Sequence, residues 1–189
     1  MLVMATKQLA PGRLELVRGF VNTRDLDRGI DELAEPLDAV GWLADRGLPT
    51  PDESITDQDL ERLVAVRDAL LALLLANNSG EPPPARALET LNEQSNEAAL
   101  GLRFDADGAA LVSTCGGVDS TIAELLAIVH QSMRDGTWRR LKACPADDCR
   151  WAFYDRSRNR SGTWCDMSDC GNRAKARAYR ERHQAESKR

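Results

Sequence analysis

The chain has 189 residues, 42% of them hydrophobic and 29% charged, a balance that suits a soluble globular protein and excludes a disordered one. That length accommodates one ordinary domain plus a small one, or two small ones. The formal net charge of -5 would by itself argue against a nucleic-acid partner, but residues 134–189 carry +7 and the rest of the chain -12, an asymmetry that marks a nucleic-acid-contacting tail.

In chain order, the opening from Met1 to Gly12 shows neither a positively charged start nor a long apolar run, so no secretory leader is expected. Arg13 to Asn22 places Leu14, Leu16, Val17, Phe20 and Val21 at spacings that fit a short helix or a strand. Pro36 suits the first turn of a helix whose apolar positions are Leu37, Val40, Leu43 and Ala44, ending at Gly47. Thr56 and Asp59 form a capping-box pattern before Leu60, Leu63, Val64, Leu70, Leu71, Leu74 and Leu75, the strongest helical signal of the chain. Within it, Ala69 to Ala76 is the most apolar stretch, eight residues against the roughly 20 a membrane span needs. A stiff loop is expected from Asn77 through Pro84, then a polar helix from about Ala85 to Leu100 with Leu88 and Leu91 as its core contacts. Leu102–Phe104 and Leu111–Ser113 predict a hairpin around an Asp-Gly turn. A further helix is expected with Asp119 or Ser120 as cap, a stripe of Ile122, Leu125, Leu126, Val129 and Met133, and Gly136 as its stop. No flexible linker separates that helix from the cysteine-rich tail, so the boundary is drawn between a helical domain at 1–136 and a small module at 137–189 that packs against it.

The tail holds Cys144-Pro-Ala-Asp-Asp-Cys149 and Cys165-Asp-Met-Ser-Asp-Cys170, two pairs with equal internal spacing and fifteen residues between them. Two such knuckles offer four thiolates to one tetrahedral ion, the layout of a structural zinc site. Spacing alone leaves iron open. Two disulfides, or four unrelated thiols, are the other readings; disulfides need an oxidising compartment, and the lone Cys115 and the leaderless start point to the cytoplasm. A complete thiolate set leaves no open coordination position, which weighs against catalysis at this metal. Asn22-Thr23-Arg24-Asp25 lacks a histidine or thiol base, so no enzyme is expected. Asn22 and Thr23 stay as candidates to border a ligand pocket. Trp151, Phe153, Trp164 and Tyr179 are expected to form a small core around the metal, and His183 to be solvated. A hairpin is expected between the two pairs, and a helix starting near Cys170 with Ser168 or Asp169 as cap; that order is the treble-clef arrangement. Arg173, Arg177 and Arg180 share one face of that helix, with Lys175 and Arg182 on a second stripe, and Arg156, Arg158 and Arg160 lie in the preceding turn. These side chains are the candidate nucleic-acid contacts. Arg173 has two readings, a DNA contact or a structural pin for the zinc loops.

The stretch Trp164-Cys165-Asp166-Met167-Ser168-Asp169-Cys170-Gly171-Asn172-Arg173-Ala174-Lys175 resembles the signature of the CGNR zinc-finger proteins, and Cys144 to Asn159 resembles the first half of that finger. Phe20-Val21-Asn22-Thr23 resembles the opening motif of the ABATE-type domain that precedes the finger in these bacterial proteins. The resemblance implies a stress-linked transcriptional regulator that binds DNA through the finger, with Cys144, Cys149, Cys165 and Cys170 as ligands of one zinc. The N-terminal domain would then sense a small effector or mediate homodimerisation. One departure is Gly162-Thr163, where relatives often carry arginine before the tryptophan. The expected fold is mainly α (α+β): a helical N-terminal domain with a small hairpin, then a treble-clef-like zinc finger with four cysteine ligands. The alternative is a zinc-thiolate redox sensor or protein-interaction adaptor that does not touch DNA.

Overall fold

The computed structural model describes residues 9–50, 55–106 and 108–186. Residues 1–8, on which the no-leader expectation partly rests, and Asp107 of the expected Asp-Gly turn lie outside the described residues. Six α-helices and three two-stranded antiparallel sheets make up the described chain, so the fold is mainly α with some β.

Helix α1 (Leu14–Val21) resolves the first ambiguity in favour of a helix, because Leu14, Val17, Phe20 and Val21 fall on one face and are all buried. A short ribbon follows, β1 (Arg24–Asp25) against β2 (Ile30–Asp31). Helix α2 (Pro36–Asp45) starts on its proline as expected. Its buried residues, however, are Ala39, Trp42 and Leu43, while Leu37 is 82% exposed and Ala44 also faces out. Trp42 tilts against Phe20, and that contact selects the face.

Helix α3 (Asp57–Ser79) is the central element, and its N-terminus carries the expected capping box: the Asp59 amide donates to Thr56 Oγ1 and the Thr56 amide to the Asp59 carboxylate, each at 3.1 Å. Leu63, Val66, Leu70, Leu73 and Leu74 are buried along its length. The helix runs three residues beyond the expected loop start, through Asn77, Asn78 and Ser79, and ends at Gly80 with a φ of +78°. Helix α4 (Ala85–Glu97) buries Ala87 and Gln94; Leu91 packs at the edge of the core, and Leu88, expected inside, is 43% exposed.

Strands β3 (Leu100–Asp105) and β4 (Gly108–Ser113) pair as expected, with Leu102 opposite Leu111. Helix α5 (Val118–Arg134) is not capped by Asp119 or Ser120 but begins after Gly117, whose φ is +64°. Both residues are used otherwise: Asp119 accepts from Arg62 at 2.7 Å, and Ser120 Oγ donates to the Cys115 carbonyl at 2.6 Å. Arg62 also donates to Gln94 at 2.9 Å, tying α3, α4 and α5 together. Met133, expected on the buried stripe, is half exposed.

A 3-10 turn (Trp138–Arg140) leads into β5 (Leu141–Ala143), which pairs with β6 (Ala152–Tyr154). Leu141, Ala143 and Ala152 are completely buried and continue the core of the helical part. The chain closes with a π-helical turn (Met167–Gly171) and helix α6 (Asn172–Glu186). No described helix is long and apolar enough to cross a membrane.

Candidate metal centre

Strand β5 delivers Cys144 and β6 receives the chain at Ala152, three residues after Cys149, so the first cysteine pair is the turn of a hairpin. The Cys144 amide donates to the Trp151 carbonyl at 2.9 Å and the Cys149 amide to the Ala146 carbonyl at 3.0 Å, closing the knuckle. Arg150 completes the reversal at a φ of +58°. The expected hairpin between the two pairs therefore sits elsewhere: it encloses the first pair. The intervening segment is instead a loop organised by Asp155. Of the second pair, Cys165 precedes the π-helical turn and Cys170 lies on it; the turn is capped by Asp166, whose carboxylate accepts from the Ser168 amide at 2.7 Å, and neither Ser168 nor Asp169 is the cap.

The four sulfurs of Cys144, Cys149, Cys165 and Cys170 all lie within 4.8 Å of one another. Cys149 and Cys165 are 3.5 Å apart, and Cys165 and Cys170 3.7 Å. A tetrahedral ion with sulfurs at about 2.3 Å requires about 3.8 Å between them, whereas a disulfide requires about 2.05 Å. The donor set thus fits one ion and is not bridged. Hydrogen bonds from Cys149 and Cys165 hold Cys144 down at about 2, while bonding to Cys144 pushes Cys149 up to about 12 and also raises Cys165. A central dication removes that conflict by neutralising the thiolates it binds. Amides add to the shell: those of Cys165 and Ala146 donate to the Cys144 sulfur, and that of Trp151 to Cys149.

Every residue of Cys170-Gly171-Asn172-Arg173 has a place in this cage. Cys170 is a ligand. A Cβ on Gly171 would stand 2.5 Å from Met167 Sδ and 3.3 Å from the Trp164 ring, so only glycine fits without displacement. Asn172 Nδ2 donates to the Ser168 carbonyl at 2.9 Å, fixing the turn. Arg173 donates to Cys170 Sγ and to the Asp148 carboxylate, both at 3.1 Å, and pairs with Asp169 at 3.3 Å. Its guanidinium therefore joins the second ligand pair to the first knuckle. Of the four aromatics expected around the metal, Phe153 is buried and Trp151 and Trp164 are half-buried. Tyr179 is 57% exposed and meets the edge of His183 instead.

The loop from Asp155 to Gly162 is built on a buried ion pair that sequence reading missed. Lys142 Nζ donates to Asp155 Oδ2 at 2.8 Å, to the Arg160 carbonyl at 2.7 Å and to the Gly162 carbonyl at 2.9 Å, using all three ammonium protons. Asp155 also accepts from the Ser157 and Gly162 amides. Gly162 is required here, since a Cβ would lie 2.8 Å from the Asp155 carboxylate. The one legible signal was Asp155 two residues before Ser157, the pattern of an Asx turn.

Burial alone would raise the Asp155 pKa, but Lys142, Ser157 and Gly162 outweigh it and hold it at about 2. The contribution of Asp155 is therefore complete above the ordinary carboxylate value of about 3.9 and is lost as pH falls toward 2. The stability difference between the wild type and Asp155→Asn is expected to stay constant from about pH 6 to 8 and to shrink only below about pH 4. Denaturant midpoints of both proteins across that range check it.

Outside the loop, Asn22 and Thr23 have their polar groups committed internally rather than offered to a ligand. Asn22 brackets Ala152 like a strand partner, accepting from its amide at 2.7 Å and donating to its carbonyl at 2.9 Å. Thr23 is buried, donates to the Phe20 carbonyl at 2.8 Å and accepts from Arg67 at 3.2 Å. Two further residues missed in sequence, Asn77 and Asn78, grip the other side of the finger. Asn77 donates to the Trp138 and Leu141 carbonyls, and Asn78 to those of Ala143 and Thr163, at 2.7–3.0 Å.

Among the basic candidates, Arg156 is engaged, donating to the Leu9 carbonyl at 2.9 Å and lying over the Tyr154 ring. Arg158, Arg160, Lys175, Arg177 and Arg180 are exposed and form no ion pair among the described residues.

A helical domain closed by a four-cysteine finger, with the signature residues built into the cage, defines a metal-finger protein holding one structural zinc. Residues 140–183 match the CGNR zinc finger, and residues 14–133 match the ABATE domain, described as "putative stress-induced transcription regulator". The chain belongs to that ABATE family, with the finger at its C-terminal side. No curated protein matches it.

Proposed function

We propose that this protein is a bacterial cytoplasmic transcription regulator that binds duplex DNA through the finger and helix α6. The observation that carries the reading is the exposed set Lys175, Arg177 and Arg180, without an ion pair among the described residues, on a helix whose first turn is locked to the zinc cage. That rigid base presents cations without a backbone ordering cost, and the acidic remainder of the chain leaves the tail as the surface suited to a polyanion. Arg173 enters as a pin of the cage rather than a DNA contact, which its three partners favour. We read the strand–knuckle–strand–helix order as a treble-clef variant. With a full thiolate set the metal has no catalytic role in this reading, and the protein is not an enzyme.

In the N-terminal part, a cavity of about 660 Å³ walled by Leu14, Leu102, Leu111 and Ile128, with His130 and Thr137 among its polar lining, is the place we assign to a small effector. It adjoins the end of α5, from which the chain enters the finger within a few residues. Homodimerisation would extend the few base pairs one finger reads.

Five phosphate contacts from Arg158, Arg160, Lys175, Arg177 and Arg180 predict a slope of log affinity on log salt of about -4.5, a loss of several hundredfold between 50 and 200 mM. Fluorescence anisotropy of the zinc-loaded protein on mixed-sequence duplex DNA measures it, and a flat response would overturn the reading. Selection on random duplexes then tests for a defined motif.

One observation favours a second reading, the redox adaptor. Cys149 and Cys165 border an open cleft of about 390 Å³ together with Arg18, Arg28 and Arg173, so an oxidant reaches the cage from solvent. Peroxide-driven zinc release in a protein that fails to retard DNA at low salt would select it.

A further inference from the structure

The segment 155–162 has an unusual construction for an exposed, arginine-bearing loop. It is shaped largely from beneath, with two bonds inside the loop itself, from the Ser161 amide to Ser157 Oγ and from the Arg160 amide to the Ser157 carbonyl. Arg140 Nη1 donates to the Asp155 and Ser157 carbonyls at 3.0 and 2.8 Å, fixing the loop's start. Lys142 captures the Arg160 and Gly162 carbonyls, fixing its end. Asp155, 4% exposed, receives the Ser157 and Gly162 amides from both limbs. The carbonyls of Asp155, Ser157, Arg160 and Gly162 and the amides of Ser157 and Gly162 are thus bonded inward, and the Arg158 and Arg160 side chains are left outside.

Arg160 sharpens the point. Its φ is +53°, in the left-handed region where glycine or asparagine is the inexpensive choice and other residues cost on the order of 1–3 kcal/mol. That backbone lets its carbonyl reach Lys142 while its side chain faces solvent. An arginine in a costly conformation, with a side chain that forms no ion pair among the described residues, points to use of the side chain. Arg158 is likewise exposed and makes no ion pair among the described residues, whereas Arg156 is held by Leu9.

We infer that residues 155–162 form a preformed phosphate-binding loop, with Arg158 and Arg160 as the contacting groups and the buried Lys142–Asp155 pair as the positioning device. The inference rests on the DNA reading above and deepens it by naming what positions two of its five phosphate contacts. Because the loop backbone is ordered before binding, only the two arginine side chains remain to be fixed on contact, the advantage of a preorganised site. Lys142 and Asp155 never meet the DNA; they act through the loop backbone.

The test uses the full zinc-loaded chain and mixed-sequence duplex DNA, with affinity followed against salt. Arg158→Ala/Arg160→Ala is expected to reduce the magnitude of the log–log slope by about 2. Lys142→Met/Asp155→Leu, which removes no exposed charge and no net charge, is expected to lower affinity and slope to a comparable extent. Combining the two pairs should add nothing further, because the positioning pair acts only through those arginines; a merely structural role would give additive losses. Gly162→Ala, which presses on the Asp155 carboxylate, is a milder second route to the same loss should the double core variant fold poorly. Zinc content and far-UV circular dichroism establish that each variant is folded. A wild-type slope in a folded, zinc-loaded Lys142→Met/Asp155→Leu or Gly162→Ala protein would overturn the inference, as would an unchanged slope in the arginine variant. If Lys175→Ala/Arg177→Ala/Arg180→Ala alone abolishes the salt dependence, the loop proposal fails and the DNA reading stands. If the wild type shows no salt-dependent binding, both fail.

Discussion

Removing the metal is expected to lower the melting temperature of the whole chain by at least about 10 °C, in one transition seen alike by far-UV circular dichroism and tryptophan fluorescence. Structural zinc in small modules contributes on the order of 10–16 kcal/mol, comparable to the 5–15 kcal/mol total stability of a typical domain. Even a fraction of that gives such a shift, since 1 kcal/mol moves the midpoint of a chain this size by about 2–4 °C. The effect reaches the helices because Leu141, Ala143 and Ala152 belong to their core. In addition, Asn22, Asn77 and Asn78 have committed their amide groups to the backbone of the finger. Loss of the cage leaves those groups without partners and opens that side of the core. Cys144→Ser and Cys170→Ser should behave like the chelated protein. Two separate transitions, with the helical signal untouched by chelator, would mean that the finger is an independent appendage.

Arg67→Met is expected to destabilise the protein by about 1.5–3 kcal/mol, the usual cost of losing charge-assisted hydrogen bonds, since the Asp31 carboxylate left behind is only partly buried. Arg67 is 2% exposed on the central helix α3 and forks onto Asp31, with Nη1 at 2.5 Å and Nη2 at 3.0 Å. It also donates to Thr23, so one side chain fastens both limbs of the β1–β2 ribbon to α3. Burial works to raise the Asp31 pKa, but the hydrogen bond from Arg67 and the Leu33 amide bring it below the usual carboxylate value. The pair is therefore fully charged at neutral pH and weakens only as acid protonates Asp31. Arg67→Met/Asp31→Leu should recover most of the loss, because no uncompensated charge then remains. Denaturant unfolding of the three proteins decides it: a cost below about 1 kcal/mol for the single change would show that the pair contributes little.

Much of this molecule was legible in the sequence wherever a local rule suffices. The capping box at Thr56 and Asp59, the first-turn Pro36, the β3–β4 pairing and the equal spacing of the cysteine pairs each depend on a few neighbouring residues, and each appears as expected. Local rules failed where two helical faces were nearly equal in hydrophobicity. Leu37, Leu88 and Met133 look like core residues, yet Ala39, Ala87 and Ser132 are inside, since what packs opposite decides the face. They failed again at Asn77-Asn78-Ser79-Gly80, a loop pattern by composition. The helix continues through the two asparagines because the finger's carbonyls take their side-chain amides, removing the competition that normally favours a turn.

The sequence by itself determined the four ligands, the order of the helical part and finger, and the family, because thiolate spacing and signature residues are properties of adjacent positions. Only the tertiary structure decided what Arg173, Lys142 and Asn22 do. Each acts on a group distant along the chain: Arg173 on Asp148, Lys142 on Asp155 and Asn22 on Ala152. A charge or an amide has no visible partner in sequence until folding brings that partner within hydrogen-bonding distance and water leaves the contact.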